Sequence, residues 1–187
     1  MDENIQDSYE EQEQVIAEAE DDGKSVSFDA QMTAAVLYDY QMHYAYTSAS
    51  GLLGTCFGIL GILLYLRHRE TILFLIIGIL LILYLPVILK YRTFTAAKLN
   101  PVYRHPLHYV VNKQGITVSQ GEVQETLPWD KCTKAITTPK SIVVYSGKKN
   151  ATVFPKKDLG EKMPALIAVI AENMQPSQVK ISTNITI

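Results

Sequence analysis

Two uncharged apolar runs constrain this 187-residue chain more than any other feature. The first, Ala49 to Leu66, reads ASGLLGTCFGILGILLYL. The second, Ile72 to Leu89, reads ILFLIIGILLILYLPVIL, and only Arg67, His68, Arg69, Glu70 and Thr71 separate the two. At ~1.5 Å per residue each run makes a helix of roughly 27 Å, close to the ~30 Å hydrocarbon thickness of a bilayer. Fifteen residues of the second run are Leu, Ile, Val or Phe. At roughly −0.4 kcal/mol each they favour insertion by about 6 kcal/mol, before Gly78, Tyr84 and Pro86 subtract. A buried helix of a soluble bundle would carry a polar stripe, which neither run shows. A signal peptide would start nearer the N-terminus, behind a basic segment. The expectation is therefore a two-helix transmembrane hairpin over 49–89.

Charge is divided unevenly around that hairpin. Residues 1–22 hold ten of the 19 acidic side chains and no Lys or Arg, whereas all 17 Lys and Arg come later. With low hydrophobicity and charge of one sign, 1–23 is expected to be an acidic, disordered tail. It is also a candidate to fold over the basic body or compete with anionic membrane for it. Downstream of the hairpin stand Lys90, Arg92, Lys98 and Arg104, against Arg67 and Arg69 in the connection. The positive-inside bias thus puts both termini in the cytoplasm. The two cysteines, Cys56 and Cys132, lie inside and far outside the first run and imply no disulfide framework. Asn150 and Asn184 head glycosylation-type triplets, which mean nothing if their domain stays in the cytosol.

Around the hairpin the hydrophobic period changes. Lys24 to Ala30 alternates as a strand with Val26 and Phe28 on one side, and it is expected to join a sheet formed by later residues. Thr33 offers an N-cap for a helix through Thr47 whose tyrosines, Tyr38, Tyr40, Tyr44 and Tyr46, suit a headgroup zone. Residues 24–48 thus read as a strand and a juxtamembrane helix that lies on the membrane or runs continuously into it. Within the first run Gly51, Gly54, Gly58 and Gly61 share a face and allow close backbone approach. They are expected to pack on the second helix of the same hairpin, with homodimerisation through Gly54 and Gly58 as the competing use. No charged, Asn or Gln side chain lies inside either run, which argues against a transporter acting alone.

Beyond Leu99, short alternating stretches with turn signals predict strands at 107–111, 116–119, 123–129, 132–138, 141–145 and 151–154, an antiparallel meander or small barrel. Pro164 opens a last helix with Met163, Leu166, Ile167, Ile170 and Met174 on one stripe. Residues 99–175 form the sheet-and-helix domain, and 176–187 an extension with one edge strand. The expected fold class is α+β: a membrane hairpin plus a small antiparallel sheet or barrel closed by a C-terminal helix.

Asp39-Tyr40 before the hairpin, then Leu127-Pro128-Trp129-Asp130, Ser141-Ile142-Val143-Val144-Tyr145 and Phe154-Pro155-Lys156-Lys157-Asp158-Leu159, resemble, in that order and spacing, the YcxB-like membrane proteins of bacteria. The resemblance covers Ser25 to Met174. It implies a two-span protein of the bacterial inner membrane, multi-pass, with a pleckstrin-homology-like cytoplasmic domain, and it brings no catalytic residues.

No chemistry is legible in the residues themselves. His105 and His108 fall on opposite faces of a strand, and a metal site needs three or four converging ligands. No phosphate loop or nucleophile elbow is present. The expectation is a non-enzyme without metal or cofactor, whose partners are the lipid bilayer and a protein. Nucleic acid is not expected, because the aromatics occupy core positions rather than a basic face. Candidate contacts to lipid or partner are Lys148, Lys149, Lys156 and Lys157, with Lys162 nearby and Lys131, Lys134 and Lys140 around another hairpin. At ~1 kcal/mol each, such charges would orient the domain on an anionic leaflet. Trp129 either fills the core or presents its ring to a partner. The function expected is a membrane-tethered interaction module for a protein segment or anionic lipid. The alternative is an accessory subunit of a transport or channel assembly.

Overall fold

The computed structural model describes residues 25–69, 71–100, 103, 105–147 and 150–181. The acidic tail, Lys148, Lys149, Arg104 and Asn184 lie outside them. The chain forms two compact units: one takes the residues up to Gln31 together with those from His105 onward, and the other is Met32–Arg104.

The first unit contains β1 (Val26–Ala30), β2 (Leu107–Val111), β3 (Gly115–Gln120) and β4 (Val123–Pro128), hydrogen-bonded in that order. All neighbours are antiparallel. A second sheet holds β5 (Lys134–Thr137), β6 (Ser141–Tyr145), β7 (Ala151–Pro155) and β8 (Val179–Lys180) in the order β7-β6-β5-β8. The single meander or barrel expected from the turn spacing is thus two four-stranded sheets, because the 3-10 turn Trp129–Lys131 ends the first sheet and redirects the chain. β8 adds parallel to β5. Such a pairing leaves no local signature, since it is set by where the chain returns after the last helix.

Strand β1 comes from before the apolar runs and β2 from after them, and Ala30 pairs with Leu107. The first sheet is therefore assembled from both flanks of the helical unit. Asn112 explains the β2–β3 turn: its side-chain oxygen accepts from Gln114 N at 2.9 Å and Gly115 N at 3.2 Å, an Asx arrangement. A Cβ at Gly115 would collide with the Leu127 carbonyl across the ladder, so β3 and β4 meet there only through glycine.

One core serves both sheets. Phe28 on β1 stacks on Tyr109 on β2 at 5.3 Å between ring centroids, and Phe154 of β7 meets both rings edge-on at 5.9 and 5.3 Å. Such pairs add about 0.5–1.5 kcal/mol each beyond area burial. The core is completed by α4 (Lys156–Leu159) through Leu159, and by α5 (Met163–Asn173) through Leu166, Val169 and Ile170, with Met174 just beyond. The apolar stripe of α5 thus faces inward. The second sheet buries both faces of its middle strands, Ile142 and Val144 on one side and Val143 on the other. That is why β6 reads as a continuous apolar run instead of an alternation.

The helical unit contains α1 (Ala34–Thr47), α2 (Ala49–Arg67) and α3 (Ile72–Leu99). Thr33 caps α1, its Oγ1 accepting from Val36 N at 3.3 Å. The helix does not continue into α2. Ser48 adopts extended backbone, ends α1, and starts α2 by accepting from Gly51 N at 3.3 Å. Both α2 and α3 are long and apolar enough to cross a membrane. Their outward side chains are apolar and exposed, for example Leu80 at 62 % and Val87 at 63 %. The third helix runs ten residues past the apolar stretch, and Thr93 on that extension returns its hydroxyl to the Leu89 carbonyl at 2.9 Å.

Candidate functional site

The glycine face of α2 divides into three parts. A Cβ on Gly58 would meet Ile82 Cγ1 at 2.6 Å and the Gly78 carbonyl oxygen at 3.0 Å, and one on Gly61 would meet the Phe74 carbonyl oxygen at 3.0 Å. These two positions are where α2 and α3 touch backbone to backbone, with Gly78 as the reciprocal small residue. Gly51 serves a different purpose: a Cβ there would strike the Ala45 carbonyl, so it permits the tight corner at Ser48. Gly54 faces open space, with nothing within 4 Å of an added Cβ.

That open space is a groove of about 570 Å³ within the helical unit. Leu81, Leu85 and Leu89 of α3, one turn apart, form one wall, and Gly51 and Gly54 lie across from them. Gln41 and Tyr44 of α1, with Ser48 and Ser50 at the corner, supply polar groups. The corner is well satisfied internally: Ser48 Oγ donates to the Ala45 carbonyl at 2.6 Å.

The described basic and aromatic candidates of the sheet unit have separate partners. Lys156 is half-buried, and its Nζ donates to the Thr138 carbonyl at 2.6 Å, which ties α4 to the β5–β6 turn. Lys162 Nζ donates to the Ser27 carbonyl at 2.6 Å and fastens the start of α5 to β1. Lys157 is exposed. Trp129 packs against the core, and its indole N–H donates to the Asn112 carbonyl at 2.8 Å. Two of the named lysines are therefore structural ties, and the indole is committed to the β2–β3 turn.

One constellation escaped the sequence. His108 Nδ1 lies 2.7 Å from Asp29 Oδ1, and Nε2 lies 3.3 Å from Ser27 Oγ. Ser27 and Asp29 are two apart on β1 and so share a face, which alternation could have revealed. Bringing His108 beside them requires the β1–β2 register across 79 positions, which it could not. Hydroxyl, imidazole and carboxylate stand in the order used by serine nucleophiles. The chemistry also needs donors aimed at a developing oxyanion and a site that excludes water. The Asp29 and His108 side chains are 72 % and 37 % exposed, and Lys162 is spent on the Ser27 carbonyl. The row works as a cross-strand polar clamp between β1 and β2.

Cys132 is buried, and burial, with a smaller contribution from Asp130, pushes its thiol up to about 11. It is a core residue that stays protonated at neutral pH. Among the described residues no three His, Cys, Asp or Glu side chains are grouped to hold a metal.

These features define an α+β protein in which a pair of long apolar helices interrupts a two-sheet domain between its first and second strands. Residues 111–170 match the family model described as YcxB-like protein, and this stretch, from the end of β2 into α5, is YcxB-like as the resemblance implied. No curated protein and no solved structure matches the chain.

Proposed function

We propose that the chain is a non-catalytic membrane protein whose helices α2 and α3 cross the bacterial inner membrane as a hairpin and hold a cytoplasmic interaction domain that engages a protein segment or anionic lipid. The observation that carries this reading is the pairing of β1 with β2. A sheet made from both flanks of the hairpin needs those flanks in one compartment, which is what two spans would give. The exposed apolar side chains along α2 and α3 suit hydrocarbon and would be costly in water. The basic bias beside α3 supports a cytoplasmic location for that compartment. Two sheets enclosing one core under a C-terminal helix are what a pleckstrin-homology-like domain would present, and Lys157 and Lys131 are exposed on it.

The test is on the full chain in its native membrane. Alkaline washing should leave it in the membrane fraction, and protease should cleave the sheet domain in inverted vesicles but not in intact spheroplasts. Alkaline release, or cleavage from outside, overturns the reading. A second reading, the accessory subunit, draws on open Gly54. It predicts that a multi-span partner accompanies the protein through mild-detergent purification in fixed ratio, whereas the module predicts soluble partners or lipid.

A further inference from the structure

The groove beside Gly54 lies wholly in the helical unit, and its chemistry is graded along its length. Leu81, Leu85 and Leu89 repeat every four residues on α3, so they form one continuous apolar rail facing the bare backbone of Gly51 and Gly54. Ser48, Ser50, Gln41 and the tyrosines Tyr44 and Tyr84 supply the polar groups, and the lining contains no acidic side chain. Because Gly58 packs beside Gly78 and Ile82, Gly51 and the serine corner fall toward the Leu89 end of the rail. Arg92 follows Leu89 by three residues and Leu85 by seven, so it stands on the rail's own face one turn further on, and it is exposed. From Leu81 to Arg92 the rise is about 16 Å, roughly half the ~30 Å hydrocarbon thickness. That is the depth of one leaflet.

We propose that this groove is a binding site for one acyl chain of an anionic phospholipid from the leaflet at the Leu89 end of the rail. The chain lies along Leu81, Leu85 and Leu89 against Gly54, and the phosphate is held by Arg92. The proposal rests on α2 and α3 being membrane spans. Glycine at 54 is then explained without a protein partner: its missing side chain is the volume that the lipid tail fills.

The experiment uses the full-length protein in nanodiscs of phosphatidylcholine doped with a phosphatidylglycerol that carries a diazirine in one acyl chain. Photolysis should concentrate label on the peptides around Gly54 and Leu81–Leu89. Gly54→Leu, whose Cβ meets no atom within 4 Å, should reduce that label roughly tenfold by filling the groove, and unchanged helix content of the variant checks that the helix pair is kept. Arg92→Gln should reduce labelling by the phosphatidylglycerol probe but leave a phosphatidylcholine probe with the same chain unaffected. Label spread evenly over exposed positions such as Leu73 and Leu80, or labelling unchanged in Gly54→Leu, overturns the site. So does a dimer that becomes monomeric in Gly54→Leu without groove labelling, since a second copy is then the occupant. Retention after alkaline washing, measured in parallel, separates failure of this site from failure of the membrane reading.

Discussion

Three glycines within one helix pair should respond to the same substitution in graded fashion, and the grading follows from what each missing Cβ would touch. Alanine at Gly78 places its methyl 2.7 Å from the Gly58 carbonyl oxygen and 3.0 Å from Ile62 N, both backbone atoms that cannot rotate aside. To reach an ordinary 3.4 Å contact, α2 and α3 must part by about 0.7 Å, and a gap of 0.5–1 Å forfeits a quarter to a half of the dispersion energy at the atoms concerned. Overpacking of this kind costs about 1–3 kcal/mol, against which alanine recovers roughly 0.5–1 kcal/mol of helix propensity. The net expectation for Gly78→Ala is a loss of about 1–2 kcal/mol. Gly58→Ala should cost a similar amount, because its conflicts are with Ile82 Cγ1 at 2.6 Å, which χ1 of a β-branched side chain in a helix holds in place, and with the Gly78 carbonyl oxygen at 3.0 Å. Gly54→Ala meets nothing and should be neutral or stabilising. Equilibrium unfolding of the purified full chain in mild detergent, followed by helix content, measures all three. Equal effects at the three positions, or a larger loss at Gly54, would refute the assignment of Gly58 and Gly78 to the helix contact.

Two further outcomes concern the sheet unit. Cys132 holds its proton to about 11 when folded, whereas its ordinary value is 9.0. The unfolded chain therefore binds fewer protons between these values, and the stability contributed by the buried thiol, full below pH 9, is lost as pH rises toward 11. Chemical denaturation from pH 8 to 11 should show this decline in the wild type and a shallower one in Cys132→Ala. Ser27 should remain unlabelled by a fluorophosphonate probe at pH 8, and Asp29→Asn should lower stability by only ~0.2–1 kcal/mol, the range for exposed pairs. Stoichiometric labelling that His108→Ala abolishes would make the row a nucleophile and not a clamp.

What the sequence made legible was whatever depended on neighbours. Alternation placed β2, turn signals bracketed the short apolar run of β6, Thr33 announced the start of α1, and the stripe from Met163 to Met174 gave the inward face of α5. The break at Ser48 carries one local signal, a serine in an N-cap position, and helix-compatible residues on both sides of it mask that signal. The extension of α3 to Leu99 was hidden because apolarity stops at Leu89 while helix propensity does not. Lys156 and Lys162 looked like free surface charge, yet each reaches a carbonyl 18 and 135 positions away in the chain. Such ties are fixed by tertiary placement, as is the meeting of His108 with Ser27 and Asp29.

The position of β1 also sets an order of events during synthesis. Its hydrogen-bonding partner β2 begins 77 positions after Ala30, so the emerging strand waits, unpaired, while both apolar helices leave the ribosome. Loop-closure entropy grows only logarithmically with the intervening length, and a folded helix pair whose ends return close together shortens the effective span further. Completion of the helical insert thus becomes the step that licenses the sheet to close, and a nascent chain stalled before Leu107 exposes Phe28 with no ring to stack on.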